Sequence, residues 1–463
     1  MAMHYRKAMA LLLMVLLVCT ACGANTNDGN GSGTSPGGAA SGGESDELPE
    51  VEITYWTDPR FKLIEGMEEQ TPNNGDFEKW QAEQFMAQYP HVKIDVQVVT
   101  FEDMPKKVPA SIAAGTQPDI LRDYLGRTSQ YAYQGVLENL EESVSEEELA
   151  DYHQDYLDMY TIDGHLHALP AYAWTATMML NREMWAERDA LDLLPTREDP
   201  YWTIEEFDTA IRAVAEPGKV FPYAVHISNS QSDNGILELF WGFGAKLYAD
   251  GDYSKIALNS PEGAAAMEYL VQLNKDGLLP PSISTTGPTD INNLIWSGQV
   301  GAYVDTLYAK TKLADARAEG KTLGEPELLF VSHPSAAGVT SGVPVGPTGY
   351  AVFKQDDDYK REWVVKFVEF LNSTEYQEMY AINAGQFPVK KSAGVPLSDD
   401  PDFVVMQQLI EERGLEDMGL TSPKYAEVRE LLYPEVQAAL LGMKTPEQAL
   451  ADYEKAANRV LAQ

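Results

Sequence analysis

The segments VEITYWT (51–57), DFEKWQAEQFMAQY (76–89) and VKIDVQV (92–98) decide the fold class of this chain. In the first and third segments apolar residues alternate with polar ones, which predicts two half-buried strands. In the middle segment aromatic residues from Phe77 to Tyr89 recur near helical spacing, which predicts a helix between the strands. A strand, a helix and a second strand form a βαβ unit, so the sequence predicts an α/β fold.

The rest of the chain continues the alternation of strands and helices. Strand-like runs occur at Gly301 to Asp305 and Gly349 to Phe353. Helix-start signals recur at Thr203 with Glu206, Ser260 with Pro261, Ser422 with Pro423, and Thr445 with Gln448. In α/β proteins ligands bind at the carboxyl ends of the strands, so we expect a ligand site there.

The N-terminal segment has the features of an export signal. Arg6 and Lys7 precede an apolar stretch that is short for a membrane span. The two cysteines of the chain, Cys19 and Cys22, form a Cys-x-x-Cys pattern, but neither a folded redox scaffold nor further zinc ligands accompany it. The segment resembles a bacterial lipobox, which implies a signal peptide at 1–21 and lipidation of Cys22. An ordinary secretory signal with a stray cysteine is the alternative.

Residues 22–48 are rich in Gly, Ser, Asn, Thr and Ala, which predicts a disordered linker. The linker contains Gly33-Thr34-Ser35-Pro36-Gly37, which matches the Gly-x-Ser-x-Gly pattern of hydrolases. That pattern requires a strand before it and a helix after it, so here it does not indicate a nucleophile. The formal net charge of −37 argues against a nucleic-acid partner.

A series of short motifs occurs in a specific order along residues 50–460. The motifs are Ile53 to Thr57, Ala114 to Ile120, Asp163 to Pro170 with Met179 to Glu183, Asn259 to Gly263 with Asp276-Gly277, Trp296 to Ala302, and Phe367 to Thr374 with Gly385 to Pro388. In this order they resemble the family 1 extracellular solute-binding proteins of ABC importers, the carbohydrate binders typified by maltose-binding protein.

The resemblance implies a periplasmic-binding-protein-like fold, in which two α/β lobes joined by hinge strands close on a ligand in the cleft between them. Lobe 1 is expected at 49–173 plus about 345–378, and lobe 2 at 174–344 plus about 379–463. Hinges are expected near Tyr172 to Thr175, Val343 to Gly349, and the end of the Trp363 to Asn372 helix.

The resemblance also implies the function. We expect a monomer that is anchored to the outer face of the cell membrane of a Gram-positive bacterium by its lipid alone. It would capture a carbohydrate, in particular an oligosaccharide, and deliver it to the subunits of an ABC permease. No catalysis, cofactor or metal is expected.

A sugar presents apolar C–H faces and a ring of hydroxyl groups, so its site needs aromatic platforms and paired hydrogen-bonding side chains. By position in the family pattern, the residues expected to bind ligand are Trp56, Asp58, Asp123, Tyr124, Trp174, Trp241, Asp305, Tyr308, Tyr425 and Arg429. The stretch from Asn229 to Trp241 is a further candidate for lining lobe 2.

Structural roles compete with these assignments. The tryptophans can be core residues, the aspartates can belong to turns or helix caps, and Arg429 can pair with a neighbouring glutamate. His165 and His167 form a His-x-His pattern on one side of a hairpin strand, which needs no metal. The alternative functions are a secreted glycosidase or lyase, which needs two carboxylates across a cleft, and a binder of a non-sugar solute on the same fold.

Overall fold

The computed structural model describes residues 48–59, 64, 66–67, 69–100, 103–249 and 252–463. Within it Leu48–Gln463 is one compact unit. The predicted signal peptide, the lipidation site at Cys22 and all of the linker except Leu48 lie outside the described residues. Over the part of the chain described, no helix has both the length and the apolar character needed to cross a membrane.

Strands and helices alternate through this unit. The strands are β1 (Val51–Thr57), β2 (Val92–Val98), β3 (Ile120–Tyr124), β4 (Thr161–Ile162), β5 (His165–Leu166), β6 (Ala168–Thr175), β7 (Thr177–Asn181), β8 (Phe221–Tyr223), β9 (Tyr248–Ala249), β10 (Asp252–Ile256), β11 (Val300–Asp305), β12 (Leu328–Val331), β13 (Val343–Val352) and β14 (Leu415–Glu416).

The helices are α1 (Asp76–Gln88), α2 (Met104–Ala114), α3 (Leu125–Tyr133), α4 (Glu146–Asp151), α5 (Gln154–Tyr160), α6 (Arg182–Ala186), α7 (Ile204–Val214), α8 (Asp233–Gly242), α9 (Pro261–Lys275), α10 (Pro288–Trp296), α11 (Tyr308–Ala318), α12 (Asp358–Leu371), α13 (Thr374–Ala384), α14 (Pro401–Arg413), α15 (Tyr425–Arg429), α16 (Leu432–Leu440) and α17 (Pro446–Leu461). Short 3₁₀ turns occur at Leu191–Leu193, Ser230–Ser232 and Lys391–Ala393.

The first sheet contains the βαβ unit that opens the fold. Strand β1 pairs in parallel with β2, from Val51 opposite Val92 onward, and in parallel with β3. Strand β13 is antiparallel to both β3 and β6, and its first two residues pair in parallel with β14. All ten residues of β13 are buried. The α/β prediction is therefore confirmed, with β1, α1 and β2 matching the three quoted segments.

The second sheet has the order β12-β7-β11-β8. Strand β7 is antiparallel to β11 and β12, while β11 is parallel to β8. The chain passes from the first sheet to the second between β6 and β7, and it returns between β12 and β13. Two of the predicted hinges lie near these passages and the third lies at the end of α12; the lobe boundaries and all three hinges stay predictions.

Several helix starts have the capping chemistry that the sequence predicts. Thr203 forms a capping box with Glu206 at the start of α7, and Thr445 forms one with Gln448 at the start of α17. Such caps satisfy backbone N–H groups that lack partners in the first turn. The start expected at Ser422 is different, because α15 begins only at Tyr425 and the Ser422 hydroxyl accepts a bond from the Lys424 N–H instead.

Candidate functional site

A cavity of about 410 Å³ lies where residues at or after the ends of β1, β3, β8 and β11 meet the first turn of α8 and the short helix α15. This placement agrees with the expectation that ligands bind at the carboxyl ends of strands. Predicted site residues that line the cavity are Asp58, Tyr124, Trp174, Asp305, Tyr308, Tyr425 and Arg429. The cavity is therefore the candidate ligand site.

A cluster around Arg429 forms one wall of the cavity. The guanidinium donates through Nη1 to the Tyr124 hydroxyl at 2.7 Å and through Nη2 to Asp233 Oδ1 at 2.7 Å and the Ser230 carbonyl at 3.0 Å. The Tyr425 hydroxyl donates to Asp233 Oδ2 at 3.1 Å, and the guanidinium carbon lies 4.9 Å from the Tyr425 ring centroid. Arg429 thus ties the end of β3 to the start of α8.

Arg429 and Tyr425 keep their protons at neutral pH. Burial acts to lower the pKa of Arg429, but the Asp233 carboxylate, Tyr124 and Tyr425 together outweigh burial, and the pKa lies well above its ordinary value. Burial raises the pKa of the Tyr425 hydroxyl, which stays protonated and donates to Asp233. Because Asp233 holds one edge of the guanidinium, this arginine is a poor receptor for an anionic ligand.

Trp174 lies on β6 opposite Gly346 of β13 and is half-buried. Its indole crosses Gly346 so closely that a Cβ at that position would lie 2.2 Å from Cζ2 and 2.4 Å from Cε2. Glycine is therefore required for the ring to rest on the strand in this way. The indole lines the cavity and provides an apolar, aromatic surface next to it.

Asp305 ends β11 and is oriented by several donors. Oδ1 accepts from the Thr306 N–H at 2.8 Å, and Oδ2 accepts from Asn292 Nδ2 at 3.2 Å and from Lys312 Nζ at 3.0 Å. The Lys312 ammonium also lies 5.6 Å from the ring centroid of Tyr308, which begins α11. The carboxylate is held in place and paired with the Lys312 ammonium, while it still lines the cavity beside an aromatic ring.

Asp58, just after β1, lines the cavity on the side of the first sheet. Its Oδ1 accepts from Arg122 Nη2 at 3.2 Å, and the same nitrogen donates to Glu78 Oε1 at 3.0 Å. Arg122 also donates through Nη1 to the Tyr380 hydroxyl at 2.6 Å. Burial raises the pKa of Glu78 although the charge of Arg122 opposes that shift. Arg122 thus fixes Asp58 from behind the cavity wall.

Some cavity residues were not predicted individually, notably His226, Asp233, Tyr303, Thr348, Gln386 and Met418. Asp233 falls within the Asn229 to Trp241 stretch, but no pattern distinguished it there. Burial lowers the pKa of His226 to about 4, and its Nε2 lies 2.9 Å from the Ser228 hydroxyl. This imidazole is neutral at pH 7 and adds a polar group without charge.

Three predicted residues lie away from the cavity wall. Trp56 is half-buried and packs against the core from β1. Asp123 is buried in an ion pair with Arg127, and burial raises the pKa of its carboxyl although Arg127 opposes the shift. Trp241 is only 3% exposed, in a helix whose residues are nearly all buried. Direct ligand contact by these residues stays a prediction that the cavity geometry does not favour.

The His-x-His pattern has ordinary hydrogen-bond partners. His165 Nδ1 lies 2.7 Å from Glu141 Oε1, and His167 Nδ1 lies 2.9 Å from the Glu138 carbonyl. Within the described ranges, no group of three or more His, Cys, Asp and Glu residues is arranged to hold a metal ion.

Solved structures share this fold over most of the chain. A solute-binding protein of an ABC transporter from Thermotoga lettingae, bound to α-D-tagatose, is 20% identical, with a TM-score of 0.73 over 89% of this chain and 100% of that one. The maltose-bound MalE3 protein of T. maritima is 21% identical, with a TM-score of 0.70 over 89% and 100%. The fold is the two-lobe fold of periplasmic solute-binding proteins.

The chain belongs to the bacterial extracellular solute-binding protein family, whose model matches residues 80–404. A protein of Brucella abortus (strain 2308), provisionally named a binding protein, is 21% identical over 390 residues, which cover 81% of this chain and 88% of the relative. This is a family of binding proteins rather than enzymes.

Proposed function

We propose that this protein captures a carbohydrate, in particular an oligosaccharide, in the cavity and delivers it to an ABC permease without altering it. The observation that carries the proposal is the composition of the cavity wall. An indole and several phenol rings line the wall together with carboxylates, and each carboxylate is fixed by a neighbouring cation. Aromatic rings suit the C–H faces of a sugar, and fixed carboxylates accept hydrogen bonds from its hydroxyl groups.

The charge of the wall supports an uncharged ligand. Among the described residues of the lining, the acidic ones are Asp58, Asp233 and Asp305, whereas Arg429 is the basic one and is paired with Asp233. Each of these carboxylates is already paired with a cation, so an anionic ligand would meet carboxylates and no uncommitted cation among the described lining residues. A volume of about 410 Å³ lies within the usual range of roughly 300–1,000 Å³ for small-molecule pockets.

The proposed setting is the outer face of the cell membrane of a Gram-positive bacterium. Lipidation of Cys22 would anchor a monomer there, and the linker would separate the binding body from the membrane. The resemblance of the N-terminal segment to a lipobox supports this part of the proposal. The sugar-bound relatives from Thermotoga lettingae and T. maritima support the ligand class.

The test is thermal denaturation of the purified chain with a panel of D-tagatose, maltose, maltotriose and chitobiose, and with galacturonate as an anionic control. A ligand at 100 times its Kd should add about 2.7 kcal/mol to the unfolding free energy. Chromatography of each sugar after incubation should show it unchanged. The proposal fails if no neutral sugar stabilises the protein at millimolar concentration, or if a sugar is converted to product.

A further inference from the structure

Gln386 lines the cavity, follows α13, and is 3% exposed. Its Nε2 donates to the Ala384 carbonyl at 2.8 Å. This bond fixes the orientation of the amide, because the reverse orientation would place Oε1 against another carbonyl oxygen. Oε1 is buried and accepts no hydrogen bond from any part of the chain that the structure describes. A residue that lines the cavity thus has a fixed acceptor that the described chain leaves unused.

The backbone around Gln386 is held on both sides. Gly385 has φ +59° and lies so close to the β11–α11 connection that a Cβ there would be 2.5 Å from Leu307 Cβ. The Phe387 N–H donates to the Ala173 carbonyl at 2.8 Å, and the Ala173 N–H donates to the Phe387 carbonyl at 2.9 Å. Gln386 is therefore fixed between β6 of the first sheet and the end of β11 in the second.

Buried polar atoms in folded proteins almost always have a hydrogen-bond partner, so the unpaired Oε1 of this cavity-lining residue requires one. We propose that Gln386 is a ligand-binding residue whose Oε1 accepts a hydrogen bond from a hydroxyl group of the bound sugar. The inference rests on the proposed carbohydrate function. A rigid acceptor of fixed orientation selects for the position of that hydroxyl, so Gln386 contributes to specificity between sugars.

The test replaces the acceptor by a side chain of similar shape, Gln386→Met. The matched control is Gln377→Met, because Gln377 is equally buried and lies nearby on α13 but does not line the cavity. Both ends of its amide are satisfied within the protein, by the Ala171 carbonyl and the Val389 N–H. Calorimetric titration with the tightest sugar of the panel and urea denaturation without sugar are measured for each variant.

Gln386→Met should weaken sugar binding by about threefold to tenfold, the range for one hydrogen bond. Gln377→Met should lower stability without sugar and leave affinity unchanged. The same titrations are made with monodeoxy analogues of this sugar. One analogue should bind the natural protein as weakly as the parent sugar binds Gln386→Met. That analogue should bind Gln386→Met no more weakly than it binds the natural protein.

Unchanged affinity of Gln386→Met would overturn this inference and leave the carbohydrate function intact. If Gln386→Met lowered the affinity for every deoxy analogue by the same factor, the inference would also be overturned, because the substitution would then act through general distortion of the site. A natural protein that binds no sugar of the panel would overturn the proposed function and this inference with it.

Discussion

The Trp174 indole is the aromatic platform of the cavity, and its contact with Gly346 allows a substitution at Gly346 to displace the ring without removing it. A Cβ at position 346 would lie 2.2 Å from the indole, whereas ordinary contact begins at 3.4 Å, so the ring must shift by about 1.2 Å in Gly346→Ala. The φ of Gly346 lies outside the positive range that disfavours alanine, so the effect reaches the ring by steric contact alone. We therefore expect Gly346→Ala to misplace the platform while the strand persists.

The expected magnitudes follow from burial. Trp174→Ala should weaken sugar binding by about 1.5–3 kcal/mol, the usual value for burying a large apolar side chain, and should change stability without sugar much less. Gly346→Ala should weaken binding by part of that amount. In the Trp174→Ala background, Gly346→Ala should have no further effect on affinity, because the ring it displaces is absent.

The assay is calorimetric titration of the four proteins with one sugar, accompanied by tryptophan fluorescence and urea denaturation. In the natural protein the emission should shift on sugar addition, and Trp174→Ala should remove most of that shift. The reasoning is refuted if Trp174→Ala keeps its affinity but loses about 3–5 kcal/mol of stability, the value for a core aromatic. Additive losses of affinity in the double variant would also contradict it.

The remaining predictions concern the ion pair, pH and the anchor. Arg429→Met leaves the Asp233 carboxylate buried without its cation, so urea denaturation should show a loss of about 3–5 kcal/mol, and a loss under 1 kcal/mol would contradict the pairing. Burial lowers the pKa of His226 and His333 to about 4, so the unfolded chain binds more protons below pH 6.5, and unfolding free energy should fall from pH 6.5 towards pH 4. His333→Gln should reduce that slope; an unchanged slope would show that His333 does not contribute to the pH dependence of stability. Cys22→Ala should abolish labelling by radioactive palmitate, while purified protein lacking residues 1–47 should keep full sugar affinity.

The fold class could be predicted because its signals are local. Alternation at β1 and β2 and the Thr203 and Thr445 capping boxes each involve residues within one element, where spacing determines the structure. The start of α15 could not be predicted as well, because Ser422 and Pro423 form a turn two residues ahead of the helix. A capping signal shows that a turn begins but not how many residues the turn takes.

The candidate site was predictable where residues end a strand and not where they pack behind one. Trp174 and Asp305 lie at or near strand ends that border the cavity. Trp241 is also aromatic and close in sequence to lining residues, but α8 is buried on all sides, so periodicity gives no sign of which face meets the cavity. Gln386 falls within the Gly385 to Pro388 motif, but nothing in that motif indicated a ligand-binding role, since the proposed role depends on an amide orientation set by Ala384.

In amide hydrogen exchange, strand β13 also serves as an internal probe of global unfolding. It is buried along its whole length and pairs with β3, β6 and β14, so apart from its two prolines its N–H groups should exchange with deuterium only when the whole fold opens. Slowing of these amides by a sugar then measures the binding free energy directly, while faster-exchanging amides elsewhere report local motion. One mass-spectrometric exchange experiment thus measures both the binding free energy of a solute and the segments whose local motion the solute reduces.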